Sequence, residues 1–373
     1  MRLIRDFVCF AYVLTALFVP RVVAAPGGRR SLAILTTQAE AIVVGAVQTM
    51  ETNATIDATI SVERVLKGTV TSGTSISIRW TYPITHGEPG PPGSALVSSG
   101  HGVFFLQHNS DGAWSLLPAS WGDSRWEDTY IPTPPSVPSG VTAVASASLP
   151  PAASALDRVM LEMAVAVEAG APMPFDLIAA FRQSHSPVLA AAFTRLVSNN
   201  DPYLRSIGLR GAVVGGDPSV PLTIRQNYTS LSGGAGWLDL VQEIKFYYVN
   251  TKVAAVQNLG KVATDTGVGL DLRIATAVAL ARMHTQQSLP YLASLLSDSN
   301  PTLKTAAVGG LASFANNVPI GSHEPAAGPW RYRTDDTIAH SAFDEGTIER
   351  QESYYISYWK GWWQQNQQAL LAQ

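Results

Sequence analysis

The apolar residues of this chain change their spacing once, and that change limits the folds open to it. Up to about residue 131 they alternate with polar residues, and from residue 153 they recur at every third or fourth position. Alternation marks a strand with one solvated face, and the longer period marks an amphipathic helix. The expectation is an α+β chain of two domains, the β-rich one first.

Residues 31–131 carry five strand patterns and one short helix near Leu32–Ala39. Ala41 to Val47 is an apolar run, as in a buried strand. Thr55 to Val65 alternates, with Ile56, Ala58, Ile60 and Val62 on one face and Asp57, Thr59, Ser61 and Glu63 on the other. Ser75 to Trp80 is a third strand, and Thr81 to Gly100, rich in Pro and Gly, is a loop. Gly102 to Gln107 and Trp114 to Leu117 flank a hairpin turn at Asn109-Ser110-Asp111-Gly112. Five short strands predict a small barrel or sandwich. Pro132, Pro134, Pro135, Pro138, Pro150 and Pro151 then bracket an uncharged Val/Ala/Ser stretch, so residues 132–151 read as a linker.

From Ala153 to about Asn317 the pattern is helical, opened by the stripe Leu156, Val159, Met160, Met163 and Val167. Further helices are predicted at 174–184, 187–198, 202–214, 237–249, 252–263, 271–284, 287–297 and 301–315. Three align on Leu204, Leu272 and Leu303, with offsets of 68 and 31 residues: two repeats of 34 and one slightly shorter. Two helices per unit at that period predict an α-solenoid, in which each unit buries its apolar face on the next. Asp201, Asp271 and Asn300 stand where each second helix needs an N-cap. The Gly- and Ser-rich stretch 215–236 interrupts the pattern and fits an irregular bundle better.

The first 24 residues have the order of a secretory signal peptide: Arg2 and Arg5, an apolar run from Phe7 to Val19, and small residues before a cleavage point after Ala24. That run is shorter than the roughly 20 residues that span a bilayer, and no later stretch is long enough. The expectation is an exported chain, periplasmic or secreted, with no integral membrane segment after cleavage. Cys9, the only cysteine, lies in the leader, so the mature chain would hold no disulfide, thiolate metal site or cysteine nucleophile. Loss of Arg2, Arg5, Arg21 and Asp6 moves the net charge from −3 to −5. Mild acidity without basic runs argues against nucleic acid as a partner.

Gln287 to Asn316 resembles a HEAT repeat, with Leu289-Pro290-Tyr291-Leu292 in the first helix, a turn at Asp298, then Asn300-Pro301, Lys304 and an Ala-rich second helix. Residues 201–213 and 271–284 share parts of that pattern. Val43-x-Gly45-x-Val47, Val62-x-x-Val65-Leu66-Lys67-Gly68 and the later Gly102–Leu106 strand resemble exported bacterial domains similar to the TIMP/netrin OB-type barrel. The resemblance implies an OB-like barrel before HEAT-like helical pairs, and a scaffolding or binding role with no named ligand. The disulfides of the eukaryotic members have no counterpart here, so their inhibitor function is not implied.

No Gly-x-Ser-x-Gly elbow, phosphate loop or His-Glu-x-x-His occurs, so no catalytic residue, metal or cofactor is expected. His86, His101, His108 and Asp111 are zinc-capable types without ligand spacing, and surface histidines are the default. Asp335, Asp336, Asp344, Glu345 and Glu349 with His340 form an acidic cluster, expected to be solvated surface and not a general acid–base pair. Arg205, Arg273 and Lys304 occupy equivalent positions and predict an inter-repeat ladder. Asn53-Ala54-Thr55 and Asn227-Tyr228-Thr229 are glycosylation sequons.

In the C-terminal region, 318–373, Tyr355, Trp359, Trp362 and Trp363 share one helix face, with Trp330 and Tyr332 placed to pack beneath. Their expected role is to cap the open end of the repeats. The alternative is an aromatic surface for sugar rings, with Trp114, Trp121 and Trp126. The chain is thus expected to be a non-enzymatic exported scaffold that binds another protein through its repeats. Carbohydrate or cell-wall binding is the second reading, and a metal-dependent hydrolase on His86, His101 and His108 the third.

Overall fold

The computed structural model describes residues 31–52, 56–80, 100–117, 130–132, 149–150, 153–170, 177–248, 250–321, 330–337, 340 and 343–372. They fall in two compact units, Met1–Pro135 and Ser136–Gln373. The expected leader, most of the expected linker and the loop 81–99 lie outside the described residues.

The first unit opens with α1 (Leu32–Gln38), capped by Ser31, whose Oγ accepts from the Ile34 N–H at 3.3 Å. β1 (Ala41–Thr52), β2 (Ile56–Lys67) and β3 (Ser75–Trp80) form an antiparallel meander. β4 (His101–His108) returns antiparallel to β1, with Ala41 opposite Leu106 and Ala46 opposite His101. β5 (Trp114–Leu116) pairs antiparallel with β4 and parallel with β3, closing a five-stranded barrel in the order β1-β2-β3-β5-β4. A short sixth strand, β6 (Tyr130–Pro132), runs along the start of β4 and takes in Pro132, the expected first residue of the linker. Proline is tolerated there because it ends the strand.

Ala41, Val43 and Val47 of β1 meet Ala58, Ile60 and Val62 of β2, Ile78, Phe104, Leu106 and Leu116 in one core. Ala58, Ile60 and Val62, three members of the apolar face expected for β2, lie in that core. Ile42, Val44, Val103 and Phe105 are buried as well, so β1 and β4 are covered on both sides and read as continuous apolar runs. Lys67 donates from Nζ to the carbonyls of Thr36 at 2.8 Å and Thr37 at 2.9 Å. It thereby satisfies acceptors that a helix C-terminus leaves open.

The described helices of the second unit are α2 (Ala155–Glu168), α3 (Leu177–Ser184), α4 (Pro187–Val197), α5 (Pro202–Val214), α6 (Val220–Gln226), α7 (Tyr228–Leu231), α8 (Trp237–Tyr247), α9 (Val253–Ala263), α10 (Leu270–Arg282), α11 (Leu289–Leu295), α12 (Pro301–Asn316), α13 (Glu345–Arg350) and α14 (Glu352–Leu371). They pack in two layers. In the first, α3, α5, α8, α10 and α12 each lie against the next. In the second, α2 lies on α4, and α6, α9, α11 and α14 follow one another. The second-layer helices α2, α4, α6, α9 and α11 begin at Ala155, Pro187, Val220, Val253 and Leu289, at intervals of 32, 33, 33 and 36 residues. Four of the five first-layer helices end the same way: His185, Gly216, His284 and Asn317 have positive φ after α3, α5, α10 and α12, whereas α8 ends at Tyr248 in extended backbone. A left-handed residue at that position lets the chain leave the helix with its last carbonyls bonded.

The unit missing from the sequence alignment is α6–α7–α8. It is legible only weakly because α6 and α7 are short and Gly233 and Gly236 both adopt positive φ between helices. Two of the expected N-caps hold: Asp201 accepts from the Tyr203 N–H at 2.8 Å and Asn300 from the Leu303 N–H at 3.2 Å. Asp271 is not the N-cap. Its helix starts a residue earlier, at Leu270 after Gly269, and its carboxylate takes the Leu272 N–H at 2.8 Å and also reaches back to the indole N–H of Trp237 at 2.6 Å and the hydroxyl of Tyr228 at 3.1 Å.

Glycine sets the closest helix approach. A Cβ on Gly211 of α5 would lie 2.0 Å from the Phe193 ring of α4. Gly211→Ala is therefore expected to destabilise the helical unit by about 1–3 kcal/mol through overpacking. A denaturant midpoint lowered at unchanged slope is the expected result. An unshifted midpoint would mean that the two helices have room to part.

Candidate functional site

Three of the five aromatics singled out in the C-terminal region are buried: Trp330, Tyr355 and Trp359. Trp330 and His340 exchange backbone hydrogen bonds of 2.7 and 2.6 Å, forming a narrow bridge. Phe343, 5.3 Å from Trp330 between ring centroids, covers Gly309 of α12. Tyr332 lies edge-on to Tyr355, and its hydroxyl accepts from the Asp344 N–H at 2.7 Å. Trp359 donates from Nε1 to the Tyr332 carbonyl at 2.8 Å. Trp362 and Trp363 are half-buried against the same core. Lys304 of α12 pairs with Glu352 of α14, and Gln286 donates to the Leu370 carbonyl. The geometry is that of a helix fastened over α11 and α12 along its length. A ring buried in this way offers no face to a sugar. Of the other tryptophans considered for sugar binding, Trp114 has the His108 ring 3.7 Å from its own between centroids, tilted by 31°, and Trp121 and Trp126 lie outside the described residues.

The acidic cluster resolves into turn and cap residues. The Arg333 guanidinium pairs with Asp335 and lies over the rings of Tyr354 and Tyr358, at 4.3 and 4.2 Å. The hydrogen bond from Arg333 holds the Asp335 carboxyl below its ordinary range. Asp336 accepts from the Arg333 N–H, and Asp344 caps α13. Hydrogen bonding from the Thr347 hydroxyl lowers the Asp344 carboxyl too. Carboxylates held ionised by such bonds are poor proton donors at neutral pH.

In the barrel, His101 meets Glu63 at 3.1 Å and His108 meets Glu40 at 2.7 Å. The two histidines stand at opposite ends of β4, about 23 Å apart along a strand, so one ion cannot join them. His86 lies outside the described residues. Among the described residues, no three His, Cys, Asp or Glu side chains converge as a metal site would require.

The expected ladder is present. Arg205 donates to the Asn199 carbonyl at 2.9 Å and to Asn227 Oδ1 at 3.0 Å. Arg273 donates to the Ala263 carbonyl at 3.1 Å and pairs with Asp298. Each links the end of one helix to the following unit. Asn227 also donates from Nδ2 to the Thr223 carbonyl at 2.8 Å, so its amide is committed to the fold and not presented to a glycan. Asn53 lies outside the described residues.

A second cluster has no counterpart in the sequence reading. Glu243, in the middle of α8, is buried and meets Arg182 of α3 at 3.0 Å and Arg210 of α5 at 3.3 Å. Burial pushes its carboxyl above the ordinary range against the pull of the two arginines. Arg210 also reaches Asp239 at 3.2 Å. The Arg182 guanidinium lies 3.4 Å over the Tyr247 ring, and that of Arg282 lies 5.5 Å from the Phe246 ring. Along α10, Leu270, Ile274, Val278 and Arg282 recur at every fourth position, all partly or largely open to solvent. No local period could signal the charged cluster, because Arg182, Arg210, Glu243 and Arg282 come from four helices. No protein-family model, no curated protein and no solved structure matches the chain.

Proposed function

We propose that the chain is an exported, non-enzymatic scaffold that binds another protein through the outward face of its helical layer. The observation that carries this reading is the stripe on α10, where Leu270 keeps 43% exposure and continues into Ile274 and Val278, with Leu238 at 75% on the neighbouring α8. Exposed apolar side chains recurring along one helix face are characteristic of interaction surfaces. The interval near 33 residues, the two layers and the buried ladder support an α-solenoid of HEAT type, a fold whose stacked faces suit extended partners. The closed five-strand order, with the third and fifth strands parallel, supports an OB-type barrel as the accessory domain. The leader-like first residues support export.

The test is affinity capture from an envelope extract of the source cells, with the full chain and an Ile274→Glu/Val278→Glu variant as baits. A partner retained by the parent and lost by the variant, at equal helical content, is the expected result. Capture that ignores the two substitutions would place the interaction elsewhere and end this reading of the face.

A further inference from the structure

Four cations gather around the C-terminal half of α8: Arg182, Arg210, Lys245 and Arg282. The acids beside them are Asp239 and Glu243, and both are already engaged by Arg182 and Arg210. Arg282 is half-buried between helices, and among the described residues it makes no ion pair. Burial lowers its pKa, and the neighbouring Tyr247 offsets that only in part. A desolvated, unpaired cation weakens the free fold, and an anion brought to it relieves that cost. The locally positive surface stands in a chain that is acidic as a whole. Below Arg282, the residues Val278, Ile274 and Leu270 extend the face for about 18 Å along the helix. An extended segment of about five or six residues covers that length.

We propose that this face binds an extended acidic peptide segment, whose carboxylates are taken by Arg282 and Arg182 beside Tyr247 while its apolar side chains lie along Val278, Ile274 and Leu270. The inference deepens the scaffold reading and rests on it. Arg182, 32% exposed, contributes through the edge of its guanidinium left open to solvent, since its Nη2 is held by Glu243 and its Nε is buried. Bidentate capture of a carboxylate suits arginine better than lysine.

The test uses the full chain and a fluorescently labelled peptide of alternating glutamate and leucine, followed by anisotropy. Binding that weakens with added salt is expected, and a lysine/leucine peptide of equal length should not bind. Arg282→Ala should weaken binding about tenfold or more, as loss of a charge-assisted hydrogen bond does. Arg282→Met, which keeps the apolar stem, should do the same. Neither variant should lower the melting midpoint, since each removes an unpaired desolvated charge. Arg64→Ala, in the barrel, should leave binding unchanged. Equal binding of the lysine peptide, or binding indifferent to both Arg282 variants, would overturn the proposal. A midpoint lowered in both variants would do so too, by making Arg282 a structural residue. If the peptide fails while partner capture still depends on Ile274 and Val278, the acidic-segment inference falls and the scaffold reading stands. If both fail, the scaffold reading falls with it.

Discussion

Trp359→Ala is expected to loosen the C-terminal helix at a cost of about 3–5 kcal/mol, the range for truncating a buried tryptophan. The ring is fully buried, with Tyr358 and Trp362 edge-on at 5.1 and 5.3 Å. Its Nε1 holds the Tyr332 carbonyl, and Tyr332 in turn holds the Asp344 N–H that precedes α13. One substitution therefore reaches three segments. Where units contact only their neighbours, damage at an end frays that end before the middle. Amide exchange should quicken through α12, α13 and α14 while α4 and α5 keep their protection. Unchanged exchange in α12 would show that the helix is an appendage and not a cap.

Arg273→Ala is expected to cost a similar amount, about 3–5 kcal/mol, because it removes one partner of a buried pair and leaves the other behind. The two side chains, Arg273 and Asp298, are only 9% and 11% exposed. The Ala263 carbonyl also loses its donor. Unlike Trp359, Arg273 sits in the middle of the array, so the loss should divide protection between α2–α8 and α11–α14. The effect has a pH signature. Burial raises the Asp298 carboxyl, but the Asn300 N–H and the Arg273 guanidinium outweigh it and hold the group below its ordinary value. A lowered carboxyl contributes stability above the unfolded pKa of about 4, and the contribution is lost as pH falls through the folded value. The gap between parent and variant should therefore be full at neutral pH and narrow below about pH 4. A gap that is constant with pH would assign the loss to packing alone. Arg273→Lys should recover only part of it, because an ammonium cannot serve both acceptors with a fixed fork.

Much of this architecture was open to sequence reasoning, for local reasons. β2 alternates because one of its faces is in the core, and the long helices show their stripe because each buries one side. Where burial is two-sided, as in β1, the pattern still marks a strand but not which residues point inward. The position of Asp271 shows a different limit. A side chain at a helix start has two good uses, capping its own N–H groups or meeting a donor from elsewhere. Asp271 does both, taking the Leu272 N–H of its own first turn and the side chains of Trp237 and Tyr228, which precede it by a whole unit. The burial of Tyr355 and Trp359 was foreseeable from their share of one helix face, and that of Trp330 from its place beneath it. The Arg182–Arg210–Glu243 cluster was not, since long-range ion pairs leave no period in the chain.

The barrel closes through its earliest strand. β1 completes itself only when β4 arrives, with Ala41 waiting for Leu106, whereas each helical pair can rest on the pair just before it. As the chain is delivered from its N-terminus, the helical unit can grow by accretion, settling one turn of the stack after another. The barrel can form its β1-β2-β3 meander early, but it closes only when β4 and β5 arrive, late relative to its own first residues. During that wait β1 has β2 on one edge and an open apolar edge on the other, the kind of edge that chaperones hold and that associates wrongly when crowded. The first strand, not the long helical array, is thus the part of this protein whose birth is most exposed to accident.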